Sequence, residues 1–66
     1  MTEGVVKRWL SGKGYGFIRP EDENEDVFVH NSDVANRTCL REGDKVEFEV
    51  ISTFRGPKAI NVKAID

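Results

Sequence analysis

Sixty-six residues hold one domain and one small hydrophobic core, since a chain this short buries only about 60% of the surface its unfolded form exposes. Ten basic against twelve acidic residues give a net charge of −2, which argues against a partner held by bulk positive charge. No apolar run is long enough to span a bilayer, Met1 opens no charged-then-apolar leader, and the single Cys39 can close no internal disulfide, so a cytoplasmic location without a membrane partner is expected.

Met1-Thr2 reads as a frayed end, and Glu3 to Leu10 as a first strand with Val6 inward and Lys7 and Trp9 on the outer face. Strict alternation would put Arg8 inside beside Val6, and a bulge or strong twist late in the strand would release it. Ser11-Gly12-Lys13-Gly14 is a glycine turn, and Tyr15 to Pro20 a second strand that proline stops by withholding a ladder donor. Glu21-Asp22-Glu23-Asn24-Glu25-Asp26 is a solvated acidic connection whose spacing and missing glycine do not fit a calcium loop. Asp26 to His30 is the third strand. Asn31-Ser32-Asp33-Val34-Ala35 lacks alternation and suits a short helical turn, capped by Asn31 or Ser32, with Val34 dipping inward. Asn36 to Leu40 is loop, and Glu42-Gly43-Asp44 a tight turn. Lys45 to Ser52 alternates, with Val46, Phe48 and Val50 in and Lys45, Glu47 and Glu49 out. Thr53 to Pro57 is loop, and Lys58 to Ala64 a last strand with Ile60 and Val62 inward. Short strands separated by turn signals, with no helix-length periodic run, point to a small closed sheet.

The two middle strands carry the chemistry. Tyr15 and Phe17 share one face of a strand, and Phe28 and His30 share one face of the next. Antiparallel pairing would gather these four rings on one side and Ile18, Val27 and Val29 on the other. The second set joins Val6, Val34, Val46, Phe48, Val50, Ile60 and Val62 in a complete core, so a second, aromatic core would need a layer that this chain is too short to build. The rings are flanked by Lys7, Lys13 and Arg19 rather than by aliphatics. Exposed rings edged with cations suit a single-stranded nucleic acid, whose bases stack while its phosphates meet the cations. Stacking needs no net positive charge, which answers the acidic composition.

Lys13-Gly14-Tyr15-Gly16-Phe17-Ile18 and Val27-Phe28-Val29-His30 resemble the paired ribonucleoprotein motifs of the cold-shock domain. Glu3-Gly4-Val5-Val6-Lys7, Leu40-Arg41-Glu42-Gly43-Asp44-Lys45-Val46 and Arg55-Gly56-Pro57 extend the resemblance over nearly all of residues 1–66. It implies an all-β, five-stranded antiparallel OB-fold barrel that binds single-stranded RNA and DNA with low sequence specificity and acts as a chaperone that melts weak secondary structure without an energy source. Trp9, Tyr15, Phe17, Phe28 and His30 would stack on bases, and Lys7, Lys13 and Arg55 would meet phosphates, with Arg8 and Lys58 as lesser candidates. The sequence departs from the family pattern at Arg8, where a guanidinium replaces an aromatic and can still stack, and at Asn31, where a ring commonly stands. Phe54 belongs to neither core nor family pattern; it is either a cap over the open barrel end or an added stacking ring beside Arg55.

One His and one Cys provide no nucleophile–base pair and no four-ligand metal site, and there is no phosphate-binding Gly-rich loop. An enzyme, a cofactor and a small-molecule substrate are therefore not expected, and a monomer is. Cys39 reads as an inert, partly buried thiol. The rival to a nucleic-acid binder is a protein-interaction module that uses the same aromatic patch as a hot spot.

Overall fold

The computed structural model describes residues 1–35 and 40–65. Strands β1 (Thr2–Leu10), β2 (Tyr15–Pro20), β3 (Val27–His30), β4 (Lys45–Thr53) and β5 (Gly56–Ala64) form a closed barrel in the order β1-β2-β3-β5-β4. Its neighbours pair antiparallel except β3 and β5, which meet in a short parallel contact at Phe28↔Lys58 and Val29↔Ala59. The expected five-stranded all-β barrel is present. The expected Asn36–Cys39 loop segment, with its thiol, lies outside the described residues.

Val6, Ile18, Val27, Val29, Val34, Val46, Phe48 and Val62 are buried as expected. Val50 and Ile60 are not: Val50 is 40% exposed, Ile60 is half-buried, and Leu40 and Ala59 join the core instead. Two features of the ladder account for these corrections. β4 pairs with β1 only from Lys45 to Phe48, so beyond Phe48 it is an edge strand held by β5 alone, and Val50 has no strand on its other side to cover it. β5 also carries an extra residue, because Glu47 faces Lys63 while Glu49 faces Ile60. Asn61 takes φ 51°, a left-handed conformation that asparagine tolerates better than most side chains. The bulge reverses the in–out parity along the strand, so that Ala59 and Val62, three apart, both point inward.

A second bulge lies in β1. Val6 faces Ile18 but Arg8 faces Phe17, leaving Lys7 as the extra residue. This is the irregularity that Arg8 required, and it has a further effect. Trp9 faces Gly16, which lies on the opposite side of β2 from Tyr15 and Phe17, and Trp9 packs against the core. Its placement on the outer face is thereby corrected. Gly16 is what admits the indole: a Cβ there would lie 2.5 Å from Trp9 Cε3 and 2.3 Å from the Arg8 carbonyl oxygen.

The connections follow the expected punctuation. Gly14, at φ 76°, closes the β1–β2 turn, where its N–H and that of Lys13 both donate to the Leu10 carbonyl. After β3 the chain makes a single 3₁₀ turn, Asn31–Asp33, whose N-cap is His30 rather than Asn31 or Ser32. The anticipated Thr53 to Pro57 loop is a tight hairpin in which Thr53 faces Gly56, and both strands run further into it than alternation suggested.

Candidate nucleic-acid interface

Cross-strand partners project from the same side of a sheet, so the register builds the site row by row. Phe17 of β2 faces Phe28 of β3, and Tyr15 faces His30. The three benzene rings form one cluster, with centroids 6.2 Å apart for Tyr15–Phe17, 5.5 Å for Tyr15–Phe28 and 6.0 Å for Phe17–Phe28. Edge-on contacts hold Phe17 against its two neighbours, at interplanar angles of 90° and 71°. All three rings are half-buried and His30 is exposed, while Gly16, Ile18, Val27 and Val29, on the reverse of the same strands, are buried.

The bulges extend this row in both directions. Arg8 lies opposite Phe17 on β1, and Lys58 lies opposite Phe28 on β5. The sequence Arg8–Phe17–Phe28–Lys58 therefore runs cation, ring, ring, cation across four adjacent strands, roughly 14 Å from end to end at ordinary strand spacing. Behind it runs the inner row Trp9–Gly16–Val29–Ala59.

The remaining cations differ in how free they are. Lys7 is exposed at the β1 bulge, Lys13 is exposed in the turn that leads into Tyr15, and Arg55 is exposed at the hairpin tip. Among the described residues, neither these three nor Arg8 forms an ion pair, whereas Arg19 Nε contacts Asp26 Oδ1 at 2.6 Å and Lys58 Nζ lies 3.1 Å from Asp33 Oδ2. His30 is held by its neighbour: the Ser32 N–H donates to His30 Nδ1 at 3.2 Å, and Ser32 Oγ is 2.9 Å from the same nitrogen. An Nδ1 that accepts leaves the neutral ring its proton on Nε2, which is then an outward donor.

Phe54 completes the geometry. It is 109% exposed, which rules out a lid on the barrel end. It lines an open groove of about 580 Å³ together with Phe17, Phe28, Arg55 and Lys58. The β4–β5 hairpin thus stands beside the ring pair and adds a fourth benzene ring to that side. Of the residues singled out by sequence, the structure gathers Arg8, Tyr15, Phe17, Phe28, His30, Phe54 and Arg55 around one surface, with Lys7 and Lys13 exposed nearby. Trp9 alone is turned away. Lys58, a lesser phosphate candidate by sequence, proves a member of the row, and the signal that could have placed it there was an asparagine at position 61 inside an otherwise alternating strand.

No helix among the described residues is long and apolar enough to cross a membrane. The family model described as the ‘Cold-shock’ DNA-binding domain matches residues 2–65. A cold shock-like protein of Aquifex aeolicus is 47% identical over 64 residues, which cover 94% of this chain and 91% of that protein. The cold shock-like protein CspE of Escherichia coli K12 is 46% identical over 65 residues, covering 96% and 94% of the two chains. Among solved structures, a Drosophila Unr fragment termed CSD456 superposes with a TM-score of 0.82 at 26% identity; the match takes in 98% of this chain but 26% of that longer one. With the barrel, the paired ring strands and a family match over nearly its whole length, the chain belongs to the cold-shock domain family.

Proposed function

We propose that this protein binds single-stranded RNA and DNA on the ring face of β2 and β3, with low sequence specificity. The observation that carries the reading is the cluster of Tyr15, Phe17 and Phe28, left half-exposed on strands whose other side fills the core. Any base has a π-face, so such a cluster takes unpaired bases with little regard to sequence. His30 stacks at one end of the cluster and offers its Nε2–H to a base or phosphate oxygen. At the β1 side, the Arg8 guanidinium supplies both a plane for stacking and a charge for phosphate. Lys7, Lys13 and Arg55 meet the backbone, and Phe54 extends the stacking surface across the groove.

A duplex hides the faces that these rings need. Binding therefore draws weak secondary structure toward the unpaired form by mass action alone, which is how a chaperone without an energy source acts. The test is fluorescence anisotropy of a labelled oligonucleotide, presented single-stranded and then as its duplex, over a range of salt. Tight binding to the single strand only is expected, with ~2–3 phosphates engaged and a log–log salt slope of roughly −1.4 to −2.1. Equal affinity for the duplex would contradict base stacking.

A further inference from the structure

The two ends of the cation–ring–ring–cation row are not equivalent. Arg8 has no ion-pair partner among the described residues, whereas Lys58 Nζ lies 3.1 Å from Asp33 Oδ2. The pair sits in a partly desolvated position, with the two side chains 33% and 22% exposed. Asp33 Oδ2 is shut off from solvent and makes no hydrogen bond among the described residues, so the ammonium is what compensates it. Pulling Lys58 away would take the charge partner from a carboxylate oxygen that makes no hydrogen bond among the described residues, which is costly. Asp33 ends the 3₁₀ turn Asn31–Asp33, whose N-cap is His30 of the ring face itself, so its backbone is tied to that face. A phosphate entering the groove beside Phe28 therefore meets a lysine already neutralised.

Resting on the proposed function, we infer that Asp33 is an electrostatic clamp on Lys58: it withholds this groove cation from the phosphates of a bound single strand and lowers affinity on the β5 side of the ring pair. Binding is thereby weighted toward Arg8 and the β1 side, and Asp33 sets how tightly the strand is held without touching it.

The experiment measures oligonucleotide affinity against salt for the wild type, Asp33→Asn, Lys58→Gln and the double variant, with the thermal midpoint of each. Asp33→Asn should bind about three- to tenfold more tightly at low salt, with a slope steeper by roughly 0.7, the increment for one further phosphate on a single strand. Lys58→Gln alone should lose less than about threefold, and in the double variant it should abolish the gain. A control, Asp22→Asn in the exposed acidic loop, makes the same change in net charge and should gain less than Asp33→Asn. A gain that survives in the double variant, or that Asp22→Asn matches, would overturn the clamp in favour of a general charge effect. Should Asp33→Asn fail to fold, Asp33→Ser takes its place, and a folded Asp33→Ser that binds no more tightly than the wild type would overturn the clamp. A wild type that ignores single strands overturns the ring-face reading and the clamp with it, while a wild type that binds with no gain in Asp33→Asn overturns the clamp alone.

Discussion

Strands β2 and β3 keep strict alternation, whereas the strands that flank them, β1 and β5, each break it once. In the regular pair Tyr15, Phe17, Phe28 and His30 take one face, with Arg19 at the end of β2, and the alternate residues take the core, so each strand has one job per face. In the bulged pair the faces change hands partway along. β1 buries Val6, then shows Arg8 to the ring face and turns Trp9 inward; β5 buries Val62, then Ala59, and leaves Lys58 beside Phe28. A regular strand can display only what its alternation provides. One extra residue lets a strand serve the core at one end and bring a cation to the ring face at the other. The bulges thus put a cation at each end of the ring row, Arg8 without an ion pair among the described residues and Lys58 held by Asp33.

The comparison breaks most severely at Gly16, where the regular and bulged strands touch most closely. Gly16→Ala should cost about 3 kcal/mol of stability, because its methyl group meets the Arg8 carbonyl and the Trp9 indole rather than a flexible side-chain end. Chemical denaturation would read this as a lowered midpoint with an unchanged slope. A neutral alanine would mean that β1 does not lie as close as the bulge requires.

Within the regular pair, the two faces should separate cleanly. Phe17→Ala should weaken single-strand binding by about 1–3 kcal/mol and lower stability by less than ~1 kcal/mol. Val29→Ala, from the reverse side of the partner strand, should lower stability by about 1–3 kcal/mol and leave the contacts intact. Affinity and thermal midpoint measured on both variants check the pair; equal destabilisation would erase the distinction between the faces.

These regular strands were also the legible part of the sequence. Tyr15, Phe17, Phe28 and His30 alternate with Gly16, Ile18, Val27 and Val29, and a period of two fixes both faces at once. The β1 bulge announced itself, since a charged Arg8 cannot stay in a core, but its effect one residue later did not: Trp9 suits either face by composition. β5 gave a quieter sign. Lys58, Ile60 and Val62 form a plausible alternating set, and only the tolerance of Asn61 for a left-handed φ hints that the set is broken. Val50 was misplaced for a different reason. Its parity is right, as its partner Ala59 is buried, but parity cannot tell that β1 has already ended and left this part of β4 as an edge. The clamp was not legible, because nothing in the spacing of residues 33 and 58 brings a turn after β3 against β5.

The β5 bulge itself can be sharpened at Asn61. Asn61→Val should cost about 1–2 kcal/mol, since a β-branched residue resists φ 51°, while Asn61→Gly should stay close to the wild type despite losing the exposed Nδ2–H bond to Glu49 Oε2. If valine were tolerated, the strand would have to be regular and Lys58 would leave the ring face. A smaller effect is expected at Phe54, where truncation to alanine should weaken single-strand binding by ~1 kcal/mol and leave the thermal midpoint unmoved, as the ring is fully exposed.

The most direct test of the account asks which of two adjacent residues faces the bases. Emission of the native Trp9 is followed during titration with a single-stranded oligonucleotide, and the same titration is run on an Arg8→Trp/Trp9→Phe variant, which moves the lone indole one position along β1. The bulge predicts that the indole at position 8, opposite Phe17, is quenched at least about twice as strongly at saturation as the native Trp9, which lies over Gly16 against the core. Stronger quenching of the native Trp9 would contradict the exchange of faces in β1, and with it the row of rings and cations on which the proposed binding surface is built.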